Sequence, residues 1–236
     1  QTLLPMTVLF GICSIPMLFL YKEEILKGEK EREKKISALT QFKSVFSHKP
    51  LLFLLVAYFF FSDAMLTFAN NFPLYLETVH NVSDTTKAIL TALILVLAAV
   101  GAVVCGKIAD KKGDLKILKI VLMLWCILFP VMAFAPKLSM LIPIFLIAGI
   151  LFGPVWAISR SLVGSLAPKE LVASSYTYYV LAERFATFIG PAVWSAALLF
   201  FGEEQLGYRV ALLSMSGLLI IGLLILHKIK RNPNLV

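Results

Sequence analysis

The chain has 236 residues, 59% hydrophobic and only 15% charged, with a mean hydropathy of +0.88 and a formal net charge of +8. A soluble domain carries about a quarter charged residues, so the composition excludes an ordinary water-soluble globule and leaves no stretch for a separate soluble domain. The positive charge does not read as a nucleic-acid surface, because Lys and Arg sit in the links between apolar runs, where such residues set membrane orientation.

The first apolar run, Gln1 to Tyr21, has no basic residue ahead of it, and its cations follow from Lys22. That order is the reverse of a signal peptide. The run is expected to be a helix leaving the membrane at Lys22, the last helix of an upstream bundle. A charged link, Lys22 to Lys49, follows and mixes signs at helical spacing, which reads as a solvated helix or linker. Six longer runs come next: Pro50 to about Glu77, Thr85 to about Ala109, Leu115 to Ala135, Leu138 to about Leu166, Val172 to Phe201, and about Leu206 to His227. A spanning helix needs about 20 mostly apolar residues. Lipid leaves no solvent for backbone polar groups, which helices satisfy internally. The expected fold is therefore all-α, a polytopic transmembrane helix bundle of about seven spans.

Cation placement orients these spans. The Lys22–Lys49 link holds eight Lys and Arg, and Gly106–Lys119 holds five. Arg160 and Lys169 flank the next link on that side, and Lys228, Lys230 and Arg231 form the tail. The opposite links hold Lys87, Lys137 and Arg209. The positive-inside rule places the Lys22–Lys49 link and the C-terminus in the cytoplasm, with the cell membrane as the expected location.

Polar chemistry inside the runs marks the candidate site. Asp63 lies 13 residues past Pro50, roughly 20 Å along a helix and so near mid-bilayer. A charge there costs about 2.5–3.5 kcal/mol on insertion scales, so it is expected to face protein or water. Thr67, Asn70 and Asn71 continue a polar stripe at i+4, i+7 and i+8. In the run Val172 to Phe201, Tyr176, Tyr179, Glu183, Thr187 and Gly190 recur at helical spacing, and Arg184 points about 100° away from Glu183. Asp63, Glu183 and Arg184 are expected to form a mid-membrane charge cluster in which a carboxylate carries a proton and Arg184 holds an anionic group. The competing reading of the same residues is a static ion pair that orients helices. Gly149-x-x-x-Gly153 permits close helix contact. Pro130, Pro143, Pro154 and Pro191 are expected to bend their helices. Cys13, Cys105 and Cys126 lack metal-ligand spacing and read as small buried hydrophobes. Asn81-Val82-Ser83 matches a glycosylation sequon and is taken as chance.

The link after the third run reads Gly106-Lys107-Ile108-Ala109-Asp110-Lys111-Lys112-Gly113. This G-x-x-A-D-[KR]-x-G pattern at a helix turn resembles the loop signature of the major facilitator superfamily. Stretches Ala57 to Asp63, Ser159 to Leu162 and Phe185 to Pro191 are similar to the branch that includes vacuole-effluxer-like permeases. The branch often shows Tyr-Asn-Asp where this chain has Phe61-Ser62-Asp63, and Ser-Gly-Lys where it has Ala182-Glu183-Arg184. The resemblance implies that residues 1–21 are the sixth helix, 22–49 the central cytoplasmic loop, and 50–236 helices seven to twelve with a short tail. It also implies a cytoplasmic gate built on Gly106, Asp110, Lys111, Gly113 and Arg160. The N-terminal half of the same transporter would be the partner.

No phosphate-cradling Gly-rich loop, paired-His zinc motif or nucleophile triad is present, so no enzyme, cofactor or metal is expected. The expected function is secondary active transport of a small solute, an amino acid in the terms of the resemblance, coupled to an ion or proton gradient within a lipid bilayer. The alternative is a non-transporting membrane scaffold or assembly partner that uses the same polar residues as glue between helices.

Overall fold

A computed structural model of the chain describes residues 7–8, 10–12, 14–16 and 38–229. The chain divides into two compact units, Gln1–Ala38 and Leu39–Val236. Most of the first run, and residues 22–37 of the charged link, lie outside the described residues.

In the second unit the described elements are all helical. A short helix α1 (Ala38–Ser47) is followed by α2 (Lys49–His80), α3 (Asp84–Lys112), α4 (Asp114–Phe134) and α5 (Leu138–Leu166). After a 3-10 turn at Lys169–Leu171 come α6 (Val172–Phe185), α7 (Ile189–Phe201) and α8 (Gln205–His227). Six stretches are long and apolar enough to cross a membrane, with α6 and α7 together making one of them. Each of the six spans expected from Pro50 onward is therefore present.

The helix ends follow from local chemistry. Pro50 sits in the first turn of α2, where its missing N–H costs nothing. Asn81 ends α2 in the left-handed conformation (φ 51°), and its N–H bonds Glu77 O at 2.9 Å. Asn tolerates that conformation better than other side chains. Ser83 then caps α3 by accepting from the Thr86 N–H. The Asn81-Val82-Ser83 run thus has a plain structural role as the turn between two spans. Gly113 is the sole residue between α3 and α4. Its φ of 92° lies where side chains are strained, and its N–H bonds Ala109 O at 2.7 Å.

Helix α2 runs through the middle of the bundle and touches α5, α6, α7 and α8. About 67% of its apolar stretch is buried, against 17% for α3, which packs mainly on α5. The α3–α5 contact is close because three glycines make it. A Cβ on Gly101 would overlap the Ile150 carbonyl, and one on Gly153 would overlap the Ala98 carbonyl. Gly149 faces Ile94 and Leu97. Small residues permit such backbone approach where lipid supplies no hydrophobic drive between helices. Aromatic rings fill the core beside α2: Trp125 lies against Phe68 and Phe129, and Phe72 stacks on Phe145 at 4.6 Å. Trp156 and Trp194 pack against Phe152 and Tyr208.

Four prolines leave their helices unbroken. Pro73, Pro130, Pro143 and Pro154 all lie inside continuous helices. The one interrupted span is the run Val172 to Phe201, expected as a single helix. It stops at Phe185 and restarts at Ile189. Pro191 falls in the first turn of α7, where its missing N–H leaves no intrahelical bond unmade. Thr187 Oγ1 donates to Arg184 O at 3.1 Å inside the break.

A candidate site at a broken helix

Asp63 lies near the middle of α2 and is fully buried. Its carboxylate meets the first turn of α7. The Gly190 N–H donates to Asp63 Oδ2 at 2.6 Å. Phe188, at the N-cap of α7, offers no side-chain cap, so the aspartate of another helix fills that role. The first N–H groups of a helix have no internal partner and carry the positive end of its dipole, which favours a carboxylate there. Thr67, one turn along α2, lies beside the same glycine, and a Cβ on Gly190 would fall 2.6 Å from Asp63 Oδ1. Only glycine lets α7 approach this closely. Asp63 Oδ1 and Thr67 Oγ1 are buried and neither makes a hydrogen bond of good geometry, so the pair retains acceptor capacity.

A second cluster forms on the α6 side of the break. Tyr58 OH donates to Glu183 Oε2 at 2.5 Å. The Tyr58 ring stacks on Tyr179 with centroids 4.0 Å apart. Tyr179 OH lies 3.0 Å from Ser159 Oγ. The Ser159 proton is directed to Val155 O at 2.6 Å, so Tyr179 is the donor to Ser159. The line Glu183–Tyr58–Tyr179–Ser159 therefore ties α2, α5 and α6 together.

These contacts distribute the expected charge cluster. Asp63 bonds α7, Glu183 bonds Tyr58, and Arg184 is exposed with no ion pair among the described residues. Interrupting the segment also separates Thr187 and Gly190 from the face that Tyr176, Tyr179 and Glu183 share. Asn70 is exposed, and half-buried Asn71 donates to Thr67 O at 2.9 Å. Tyr176 OH donates to Arg160 O at 3.0 Å, which links α6 to the end of α5. At the loop, Asp110, Lys111 and Arg160 are exposed, and no ion pair joins Asp110 to Arg160 among the described residues. Nothing lies within 4 Å of a Cβ built on Gly106. Sequence reasoning did not assign Tyr58 and Ser159 to the site. The available signal was a pair of hydroxyls facing inward on otherwise apolar helices.

A bundle of six spans whose central helix carries a buried carboxylate to the break of a discontinuous span has the architecture of a membrane transport protein. The chain belongs to the Major Facilitator Superfamily, whose sequence model matches residues 2–191. An uncharacterized protein of Aquifex aeolicus (strain VF5) is 26% identical over 195 residues, covering 83% of this chain and 50% of that protein. Autophagy-related protein 22-1 of Aspergillus clavatus is 25% identical over 175 residues, covering 68% of this chain and 29% of the fungal protein. Among solved structures, the proton:xylose symporter XylE bound to 6-bromo-6-deoxy-D-glucose matches with a TM-score of 0.67 at 17% identity, over 82% of this chain and 46% of that one. The inward open conformation of the xylose transporter XylE from E. coli matches at 0.63 and 17%, over 80% and 49%. At that identity the likeness shows the fold. The chain spans half or less of each relative. The family is one of transporters and not of enzymes.

Proposed function

We propose that the chain is the C-terminal half, with one preceding helix, of a secondary active transporter. It moves a small solute by alternating access, driven by an ion or proton gradient. The observation that carries this reading is the Asp63 carboxylate bound to the Gly190 N–H at the start of a half-helix. When charged, Asp63 holds the positive end of α7. Protonation, or a cation on the free Oδ1, removes part of that attraction and frees the break to shift. Arg184, exposed beside the break, receives an anionic group of the solute, and Tyr58 holds Glu183 in place next to it. Thr67, Asn70, Asn71, Tyr176 and Tyr179 complete this half's share of the site.

The solute is small and polar, with an amino acid as the first candidate. Likeness to XylE, a proton:xylose symporter by title, supports a proton as the coupling ion. The Gly106–Gly113 loop and Arg160 form the inner gate. The lysine-rich links face the cytoplasm, the protein sits in the cell membrane, and an N-terminal half completes the cavity. The test is uptake of amino acids and sugars into vesicles carrying the full-length protein, with and without a pH gradient. Gradient-dependent accumulation that Arg184→Gln abolishes, at unchanged membrane insertion, is the expected result. Accumulation unaffected by the gradient and by Arg184→Gln would overturn the reading.

A further inference from the structure

A cavity of about 900 Å³ opens at the end of the bundle where α3 turns into α4. Lys111, Lys112, Lys116 and Lys119 line it, together with Asp110 and Asp114. Four cations thus face two carboxylates. The ion pairs among the described residues are those of Lys87 with Glu77 and Asp84, at the other end of the bundle. The cavity lysines therefore make no ion pair among the described residues and outnumber the two carboxylates beside them. Lys119 is half-buried and sits five residues into α4, about 7.5 Å below its start. A cation carried that far into an apolar wall is costly unless an anion meets it. One further feature points the same way: His48 Nδ1, in the cavity lining, is buried without a partner. Gly113 gives α4 no side-chain cap, and Asp114 is the acidic residue in its first turn.

The lower wall distinguishes a lipid from a free anion. Ile120 and Met123 line the cavity from α4 and are 38% and 41% exposed. Both lie on a helix long and apolar enough to cross a membrane, so the cationic chamber has an apolar wall that continues into the span. A chamber with cations near the helix start and an apolar wall further along matches a ligand with an anionic head and a hydrocarbon tail.

We propose that this cavity binds an anionic phospholipid. Its phosphate lies between Lys116, Lys119 and the start of α4, and its acyl chain lies along Ile120 and Met123. The site is independent of whatever solute the whole protein moves.

The test is native mass spectrometry of the purified full-length protein, titrated with phosphatidylglycerol, with phosphatidylcholine of the same chains, and with inorganic phosphate. Phosphatidylglycerol is expected to be retained over phosphatidylcholine, and phosphate is expected not to displace it. Each lysine near a membrane surface is worth about fivefold in affinity for anionic lipid. The K116Q/K119Q variant should therefore lower phosphatidylglycerol retention about 25-fold, and K137Q, at the opposite end, should not change it. M123W keeps every charge and fills the floor, so it should also weaken retention. Equal retention of the two lipids overturns the proposal. Displacement by phosphate overturns the lipid source. If K116Q/K119Q does not fold, M123W decides, and unchanged retention in that variant overturns the proposal.

Discussion

The backbone N–H of Gly190 donates a 2.6 Å hydrogen bond to the carboxylate of Asp63, 127 positions earlier in the chain. The glycine is required by space as well as by the bond. In Gly190→Ala the new methyl would lie 2.6 Å from Asp63 Oδ1 and 3.0 Å from the Asp63 carbonyl oxygen. Overpacking of this kind costs about 1–3 kcal/mol. The variant should melt at a lower temperature in detergent and lose transport, and a parent-like melting curve would contradict the close approach.

Asp63→Asn keeps the shape and an acceptor for the Gly190 N–H but removes the charge. Stability should change by no more than about 1 kcal/mol. Gradient-driven accumulation should fall to background while downhill exchange of the solute survives. The pH dependence of exchange seen in the parent should disappear in the variant, which flux measurements between pH 5 and 8 would check.

Tyr58→Phe removes the donor to Glu183. A hydrogen bond to a charged group is worth about 1.5–3 kcal/mol, so the variant should be destabilised by that order. Glu183→Gln retains an acceptor for Tyr58 and should cost less. In the double variant the two losses should not add, because both act on one contact. A double-mutant cycle by thermal unfolding would measure the coupling, and full additivity would count against the pair.

Gly101 and Gly153 should tolerate no side chain. Each would drive a Cβ into a backbone carbonyl of the facing helix, and backbone cannot rotate away. Gly153→Val should lower stability by about 3 kcal/mol and leave α3 more open to protease at the Gly113 turn. Gly217→Ala is the control. Gly217 is exposed on α8 with nothing within 4 Å of a built Cβ. Alanine there should be neutral or stabilising by up to about 1 kcal/mol.

Arg209 closes the other end of the bundle. Its Nη1 donates to Ala133 O at 2.7 Å and its Nη2 to Ala135 O at 3.4 Å, while Tyr75 OH donates to Met132 O at 2.9 Å. The last carbonyls of α4 have no partner within their own helix. Arg209→Ala should cost about 1.5–3 kcal/mol in chemical or thermal unfolding. Arg209→Lys should recover only part, because a single ammonium cannot span two carbonyls as a planar fork does.

Much of the architecture was readable before any coordinates. The expected run from Leu138 to about Leu166 matches α5, and the ends of the other runs from Pro50 onward differ by a few residues at most. Gly113 was expected at a tight turn and is the whole turn. The spacing of Gly149 and Gly153 pointed to a close contact, and the facing helix proves to be α3. The chain from Val172 to Phe201 was less readable. Its length suits a single span although Glu183 and Arg184 fall inside it, and Pro191 resembles the four prolines that helices here accommodate. The difference lies in what surrounds it. At the break, a carboxylate on α2 satisfies the freed start of α7, so an interruption there is tolerated.

The length and spacing of apolar runs, the cations at their ends and the glycine at the α3–α4 turn are properties of neighbouring residues. They were enough to establish a helical membrane bundle and to single out Asp63, Glu183 and Arg184 as candidates. The pairing of those residues is not local. Asp63 finds Gly190, and Glu183 finds Tyr58, across 127 and 125 positions. Which acceptor meets which donor depends on how α2 passes α6 and α7, because buried polar groups bond whatever packing brings within about 3 Å.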